Sequence, residues 1–190
     1  MAVTPRRVTL DQFLQLPDER PALELHSGIV TRMSPKGPHG TLVFELGFKL
    51  VSASGPDHPL RMCVETRFSI GGESFVADLI GYKPDRIPVD AHGDVAEDFL
   101  TPPDIVVEVM SRGQVLGAMI ERCRDMTRLG VPLVLLLQPR TRTVHAFRSD
   151  WESGALHDTD MMDLSSLVPG FSLTVGEIFR SLHVRDPKQG

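Results

Sequence analysis

The chain has few cysteines, the residues that form disulfides in small secreted domains, and its cysteines and histidines lack the spacing of metal sites. Only two of its 190 residues are cysteines, Cys63 and Cys123, and they form no CxxC or other metal-ligand spacing. Its seven histidines are scattered, without an HxH or HExxH pattern. A disulfide framework and a cysteine or histidine metal site are therefore not indicated. We expect a reduced, cytoplasmic protein whose two cysteines serve packing.

Long apolar runs and an excess of basic residues are also missing. No window approaches 18 consecutive apolar residues, and the N-terminal segment has no apolar stretch after its basic residues, so neither export nor membrane insertion is indicated. The formal net charge is -5, which argues against a protein that coats nucleic acid and leaves room for a local basic patch.

Size and composition are those of an ordinary globular protein. With 41% hydrophobic and 24% charged residues, a chain of 190 residues can bury a substantial core without disulfides or a structural metal ion. We therefore expect one domain over residues 1–190.

Apolar periodicity predicts a mixed α/β order of elements. Helices are predicted over residues 9–16, 38–54, 114–129 and 175–182, a hairpin over 22–34, and strands over 60–70, 75–82, 104–110, 131–137 and 142–148. A right-handed crossover through the third helix would make the strands at 104 and 131 parallel neighbours. The expected fold is a central mixed β-sheet flanked by helices on both faces.

Two of the predicted strands each carry one carboxylate, Asp78 and Glu108. Because side chains alternate along a strand, Glu108 shares its face with the apolar Val106 and Met110. A buried ionised carboxylate is costly unless it is protonated, paired with a cation or coordinating a metal. The alternatives to a metal site are a structural salt bridge, for instance with Arg122, and exposure at the end of the sheet.

Several phrases along the chain resemble a known family. They are TLDQFLQLP (9–17), ALELHSG (22–28), VADLIGY (76–82), PDIVVEVMSRG (103–113), LGVPLVLLLQP (129–139) and VPGFSL (168–173). In this order they resemble the PD-(D/E)xK nuclease superfamily, which has the restriction-endonuclease-like fold. The closer resemblance is to the large bacterial family described as "putative restriction endonucleases", once classed as a domain of unknown function.

The resemblance implies a Mg²⁺- or Mn²⁺-dependent endonuclease that hydrolyses phosphodiester bonds in DNA. Asp78 and Glu108 would be the metal ligands, and the carbonyl oxygen of Val109 would complete the shell. Glu24 matches the glutamate of the family's second phrase and would be a secondary member of the site. Nuclease relatives often cleave as pairs, so a homodimer is expected.

The chain departs from the family at the catalytic lysine. The position two residues after Glu108 is Met110, the family's other lysine position is Arg122, and the four lysines of the chain lie elsewhere. The family's nearby aspartate, tyrosine and second aspartate are Ala118, Met126 and Gln138. An arginine stabilises charge on a phosphate but stays protonated, so it cannot take a proton from water.

Three functions are therefore open. The first is an endonuclease weakened by loss of the lysine, with Arg122 either facing the site or simply exposed to solvent. The second is a catalytically degenerate nucleic-acid-binding or regulatory protein on the same fold. The third is a scaffolding dimer without a nucleic-acid partner.

Two further polar residues are weaker candidates for the site. His39 lies near the start of the second predicted helix, where family members often have a histidine that would contact phosphate; solvation is the commoner state there. Glu24 and His26 share a strand face, and a surface hairpin pair is favoured over a metal site.

Overall fold

The computed structural model describes residues 7–17, 23–32, 37–57 and 59–184, and its elements follow the apolar pattern of the sequence. The helices are α1 (Leu10–Leu14), α2 (Gly37–Ser54), α3 (Leu116–Arg128) and α4 (Val175–Phe179), followed by a 3-10 turn at Arg180–Leu182. The strands are β1 (Leu23–His26), β2 (Ile29–Arg32), β3 (Arg61–Ile70), β4 (Glu73–Tyr82), β5 (Ile105–Val109), β6 (Val134–Gln138), β7 (Thr143–Arg148), β8 (Trp151–Glu152), β9 (Leu156–His157), β10 (Met161–Asp163) and β11 (Ser172–Thr174).

One mixed sheet organises these strands in the order β2-β1-β4-β5-β6-β7-β8. β3 pairs with β4 from one end of β4, Glu73, to the other, Tyr82, so β3 occupies one edge of β4. The other edge is shared by β1 and β5, which reach different parts of it. This division of one edge between two strands leaves a gap in the middle of the sheet.

β5 and β6 are parallel, and α3 makes the crossover between them. Gly130 ends the helix in a left-handed conformation, with φ +105°, which glycine adopts without strain. Because β5 and β6 are parallel neighbours, as predicted, their carboxyl ends lie at the same end of the sheet.

Alternation along the central strands separates two apolar clusters. Val107 packs with Leu46 of α2 and Phe179 of α4 on one face, while Val106 packs with Met126 of α3 on the other. Helices thus cover both faces, and the predicted mixed sheet is confirmed.

The predicted elements agree with the structure except near their ends, and the short strands β8 to β11 lie outside every predicted element. The α1 N-terminus has a capping box, in which Thr9 and Gln12 exchange hydrogen bonds. The turn at Gly71-Gly72 joins β3 to β4 and has positive φ at both residues. The third helix and the strand after it begin later than predicted, at Leu116 and Val134.

Some predictions fall outside the described residues. These are the ends of the predicted hairpin at Ala22, Met33 and Ser34, the two lysines Lys36 and Lys188, and both termini of the expected domain. Within the part of the chain that is described, no helix has the length and apolar character needed to span a bilayer.

Candidate functional site

The gap in the sheet lies where β4 and β5 separate. The two strands pair only through residues 79–81 and 105–107, and the next residues outward are Asp78 and Glu108. β1 meets the same edge of β4 only farther back, at Ser74. Between these two contacts, main-chain groups of β4 and β5 face side chains instead of a neighbouring strand.

Asp78 fills the part of the gap next to β5. Its Oδ2 accepts a 2.6 Å hydrogen bond from the amide of Val109, which in an unbroken ladder would donate to a strand carbonyl. Its Oδ1 is buried, and no described residue donates a hydrogen bond to it. A buried carboxylate oxygen without a donor costs free energy, so this atom is available to a cation or another ligand.

His39, in the first turn of α2, lies beside this free oxygen. Its Nε2 is 3.2 Å from Asp78 Oδ1, which is an ion-pair distance when the ring is protonated, although neither ring nitrogen makes a hydrogen bond of good geometry with a described residue. Burial alone would lower the pKa of His39; Asp78, and more weakly the charge of Glu65, outweigh it and raise the pKa. The residue is only 6% exposed, so the expectation of a solvated helix-start histidine is wrong.

Arg122 of α3 fills the part of the gap next to β1. Its Nε donates to Glu108 Oε1 at 3.1 Å, and its Nη2 donates to Glu24 Oε1 at 2.6 Å and to the Val76 carbonyl at 3.1 Å. Glu24 Oε1 also accepts a 3.2 Å bond from the Val76 amide. Both main-chain groups of Val76 are thus satisfied by the charged side chains that replace a strand.

The position of Arg122 follows from the spacing of α3. Met119 and Met126, three residues before and four after it, are buried against the sheet, so Arg122 lies on the same helical face. Its guanidinium carbon is 5.3 Å from the centroid of the Phe75 ring, a cation–π contact. Arg122 therefore faces the site, and the alternative of a solvent-exposed arginine is wrong.

Three buried carboxylates lie near one arginine, which pairs with two of them, Glu24 and Glu108, and the pKa values reflect this. Burial raises the pKa of Glu108 to about 8 against the opposing effect of Arg122, and the charges of Asp78 and Glu24 add to the rise. Burial also raises the pKa of Glu24. For Arg122, burial acts to lower the pKa, but Glu108 and Glu24 outweigh it and raise the pKa. The site therefore carries an excess of negative charge that protons or a bound cation would neutralise.

The structure brings the sequence-predicted site residues together. Glu24 is 8% exposed and pairs with Arg122, so its expected place in a surface pair with His26 is wrong. Glu108 is in the salt bridge that was the structural alternative to a metal site, whereas Asp78 is not paired with an arginine.

The positions at which the family pattern is lost add no polar group to the site. Met110 packs against the apolar cluster on the α3 face, and Met126 is fully buried there. The side-chain nitrogen of Gln138 lies 3.0 Å from His145 Nε2, and Ala118 is exposed. No described lysine takes their place, since Lys49 pairs with Glu45 on α2 and Lys83 follows the far end of β4.

The donor set fits a divalent ion only in part. Within the described ranges, no group of three His, Cys, Asp or Glu side chains is arranged to hold a metal ion. Mg²⁺, however, is often held by one or two carboxylates together with waters and substrate phosphate. Asp78 Oδ1 has only the His39 ring beside it, and Glu108 uses Oε1 for Arg122. Asp78 and Glu108 are therefore the residues that could hold a hard cation here.

Sequence reasoning undervalued His39 and did not single out Glu65. Glu65 follows Val64, which pairs with Leu79, and is itself skipped in the pairing of β3 with β4, as is Asp78. It has φ +47°, which is strained for a residue with a side chain. The signals in the sequence were weak: one histidine at a helix start and one glutamate in a strand, neither of which is unusual.

Comparisons with known proteins identify the family and the fold of the chain. The family model Uma2, described as "Putative restriction endonuclease", matches residues 10–176. A crystal structure of a "putative nuclease belonging to DUF820" from Anabaena variabilis ATCC 29413 is similar, with a TM-score of 0.85 and 26% sequence identity over 92% of this chain and 99% of that chain. No curated protein sequence matches significantly. The chain therefore belongs to the Uma2 family of "putative restriction endonucleases", and its mixed sheet with flanking helices is the fold of a nuclease-like relative.

Proposed function

We propose that the protein is a metal-dependent endonuclease that hydrolyses phosphodiester bonds in DNA, with Asp78 and Glu108 as ligands of Mg²⁺ or Mn²⁺. One observation carries the proposal. Asp78 Oδ1 is buried at the separation of two strands, next to a second carboxylate, and no described residue donates a hydrogen bond to it. An oxygen kept in this state is expected where a ligand completes the site.

The chain's own residues would position the reaction. The Val109 amide orients Asp78 through Oδ2 and leaves Oδ1 for the ligand, and the Val109 carbonyl is a candidate third ligand. Arg122 fixes Glu108 and Glu24 against the sheet. A bound Mg²⁺ would supply charge neutralisation at the phosphate and activation of water.

The missing lysine predicts slow chemistry. The carboxylates around Arg122 raise its pKa further above an already high value, so it stays protonated and cannot serve as a base. If an assisted base contributes the usual hundredfold or more, its absence lowers the rate by on the order of 10²-fold.

The test is nicking of supercoiled plasmid with Mg²⁺ or Mn²⁺. Wild type should nick DNA, and Asp78→Asn and Glu108→Gln should lose the activity, because each removes one negative ligand while preserving shape. Glu152→Gln changes an exposed carboxylate paired with Arg124 and serves as the matched control. Equal cleavage by all four proteins would dismiss the assigned site.

A second variant tests the role of position 122. Arg122→Lys places a titratable amine at the family's lysine position, and we expect nicking to rise on the order of tenfold or more. Unchanged nicking by a folded Arg122→Lys protein would show that the lost lysine does not limit the rate.

A catalytically degenerate nucleic-acid-binding protein is the second candidate function. The observation that favours it is the closed pairing of Glu24 and Glu108 with Arg122, which supplies an internal cation where a metal would bind. Absence of Mg²⁺ and Mn²⁺ binding by calorimetry, together with salt-dependent DNA binding, would favour this function over the enzyme. A homodimer stays a prediction from the resemblance, and a cytoplasmic location stays a prediction from the cysteine content.

A further inference from the structure

A cleft opens at the carboxyl ends of the two parallel strands, next to the candidate site. The loops that follow β5 and β6 form two of its walls, and the first turn of α2 together with Leu182 completes it. Its volume is about 710 Å³. In open α/β sheets, ligands commonly bind outside the carboxyl ends of parallel strands, because the loops there diverge.

The charged side chains lining the cleft are basic. Arg112 comes from the loop after β5 and Arg140 from the loop after β6, and both are exposed. Neither forms an ion pair with a described residue, whereas Arg124 and Arg128 on the outer face of α3 are both in ion pairs. No carboxylate is among the described residues that line the cleft. Although the chain has a net charge of -5, this cleft presents uncompensated positive charge.

His39 connects the cleft to the carboxylates. It lines the cleft, and its Nε2 lies 3.2 Å from Asp78 Oδ1. Its Nδ1 is buried and has no hydrogen-bond partner among the described residues. It also stands in the first turn of an 18-residue helix, whose N-terminal end carries a partial positive charge. A ligand in the cleft would thus meet two arginines and a helix N-terminus, both of which favour an anion.

The cleft offers little that could distinguish one base from another. Its lining contains no Phe, Tyr or Trp on which a base could stack. The oxygen of Gln114 accepts a 2.7 Å bond from the Ser111 amide, and the nitrogen of Gln138 lies 3.0 Å from the ring of His145. Each of the two amide side chains that could read a base edge therefore already has one of its two polar groups engaged.

We propose that this cleft binds the backbone phosphates of a DNA strand, with Arg112 and Arg140 as the phosphate contacts and without preference for sequence. The inference rests on the proposed function, because a DNA strand bound in the cleft would pass Asp78, the proposed metal ligand. It assigns substrate positioning to two arginines outside the carboxylate site and predicts that affinity depends strongly on salt.

The test is binding of a short fluorescein-labelled DNA duplex, followed by anisotropy without divalent metal. Arg112→Glu and Arg140→Glu should each weaken binding on the order of tenfold, and the double variant should reduce the salt slope, log K against log [salt], by about two. Arg61→Glu is the matched control: it makes the same charge change on an exposed arginine at the far end of β3. The control should bind nearly as well as wild type.

If Arg61→Glu weakened DNA binding as much as the cleft variants do, the proposed role of the cleft would be wrong, because the effect would then come from net charge. Unchanged binding by both cleft variants would also overturn it, and so would a strong dependence of affinity on duplex sequence. The proposed nuclease activity can fail separately. If DNA binding depended on the cleft arginines but no metal-dependent nicking occurred, the proposed DNA-binding cleft would be supported and the proposed nuclease activity would be wrong. If both cleft variants nicked DNA and bound it with unchanged affinity, the nuclease activity would be supported and the proposed role of the cleft would be wrong.

Discussion

Two halves of the candidate site occupy the same gap in the sheet and differ in how their charges are satisfied. In the closed half, Glu24 and Glu108 share the guanidinium of Arg122. In the open half, Asp78 keeps one buried oxygen without a hydrogen bond, beside His39, whose ring nitrogens also lack one among the described residues. The closed half has the pairing of a structural ion-pair network, whereas the open half has an unsatisfied oxygen, as a ligand-binding site does. Stability should therefore depend more on the first half than on the second, and the unsatisfied oxygen of the second half serves ligand binding.

Removing the cation of the closed half should have the largest effect. Arg122→Ala leaves two buried carboxylates without a partner, and we expect the free energy of unfolding to fall by about 3–5 kcal/mol. Urea denaturation at neutral pH measures this loss. Arg124→Ala, on the exposed face of the same helix, also removes an arginine that bonds two carboxylates and should cost far less. Equal losses in the two variants would contradict the assignment of the closed half as a buried structural network.

The open half should separate stability from activity. Asp78→Ala leaves the buried Val109 amide without an acceptor and should cost about 1–3 kcal/mol. Asp78→Asn keeps an acceptor and removes a buried charge, so it should cost less than about 1 kcal/mol while still abolishing nicking. Thermal unfolding of both variants, beside plasmid nicking, measures the difference. If Asn destabilises as much as Ala, the hydrogen bond to Val109 is not the structural role of this residue.

The closed half should also make metal-free stability depend on pH. Because the folded-state pKa of Glu108 is raised from the ordinary 4.5 to about 8, the folded protein binds more protons than the unfolded chain between these values. This contribution to stability is fully present below about pH 4.5 and is lost as the pH rises through about 8. The raised pKa values of Glu24 and His39 act in the same direction.

The measurement is urea denaturation in EDTA across this pH range. Glu108→Gln should remove much of the decline, since it cannot titrate. A decline of the same size in the Gln variant would assign the pH dependence to other groups.

The smallest expected effect concerns the strained backbone of the open half. Glu65 has φ +47°, a conformation that glycine adopts without the penalty paid by other residues. Glu65→Gly should raise the free energy of unfolding by up to about 1 kcal/mol. Glu65→Ala removes the same carboxylate but keeps the Cβ atom, so it should give no such gain. Equal effects of the two substitutions would mean that charge, not strain, decides the outcome at this position.

Much of the fold could be predicted because its signals are local. The apolar spacing of α2, the glycine turn between β3 and β4, and the continuous apolar run of β6 each identify an element without reference to the rest of the chain. Boundaries were less predictable. α3 starts at Leu116 instead of residue 114, since the intervening loop is held by the bonds between Ser111 and Gln114.

The site was predictable in its members but not in its pairing. Asp78 and Glu108 stood out as carboxylates within apolar strands, and the resemblance added Glu24 and Arg122. Which carboxylate meets the arginine depends on where β1 and β5 leave the edge of β4, and no local pattern encodes that. For the same reason the burial of His39 was missed, because it depends on α2 packing over the end of β5.

The sequence by itself determined the order of elements, the mixed sheet, the family and the identity of the charged residues, because periodicity and residue type are properties of short segments. The tertiary structure decided which charges are neutralised. It brought Arg122 across 98 positions of chain to Glu24 and left Asp78 beside His39 without a hydrogen bond to Oδ1. The energy of a buried carboxylate depends on the few ångströms around it, and only the packed sheet sets those distances.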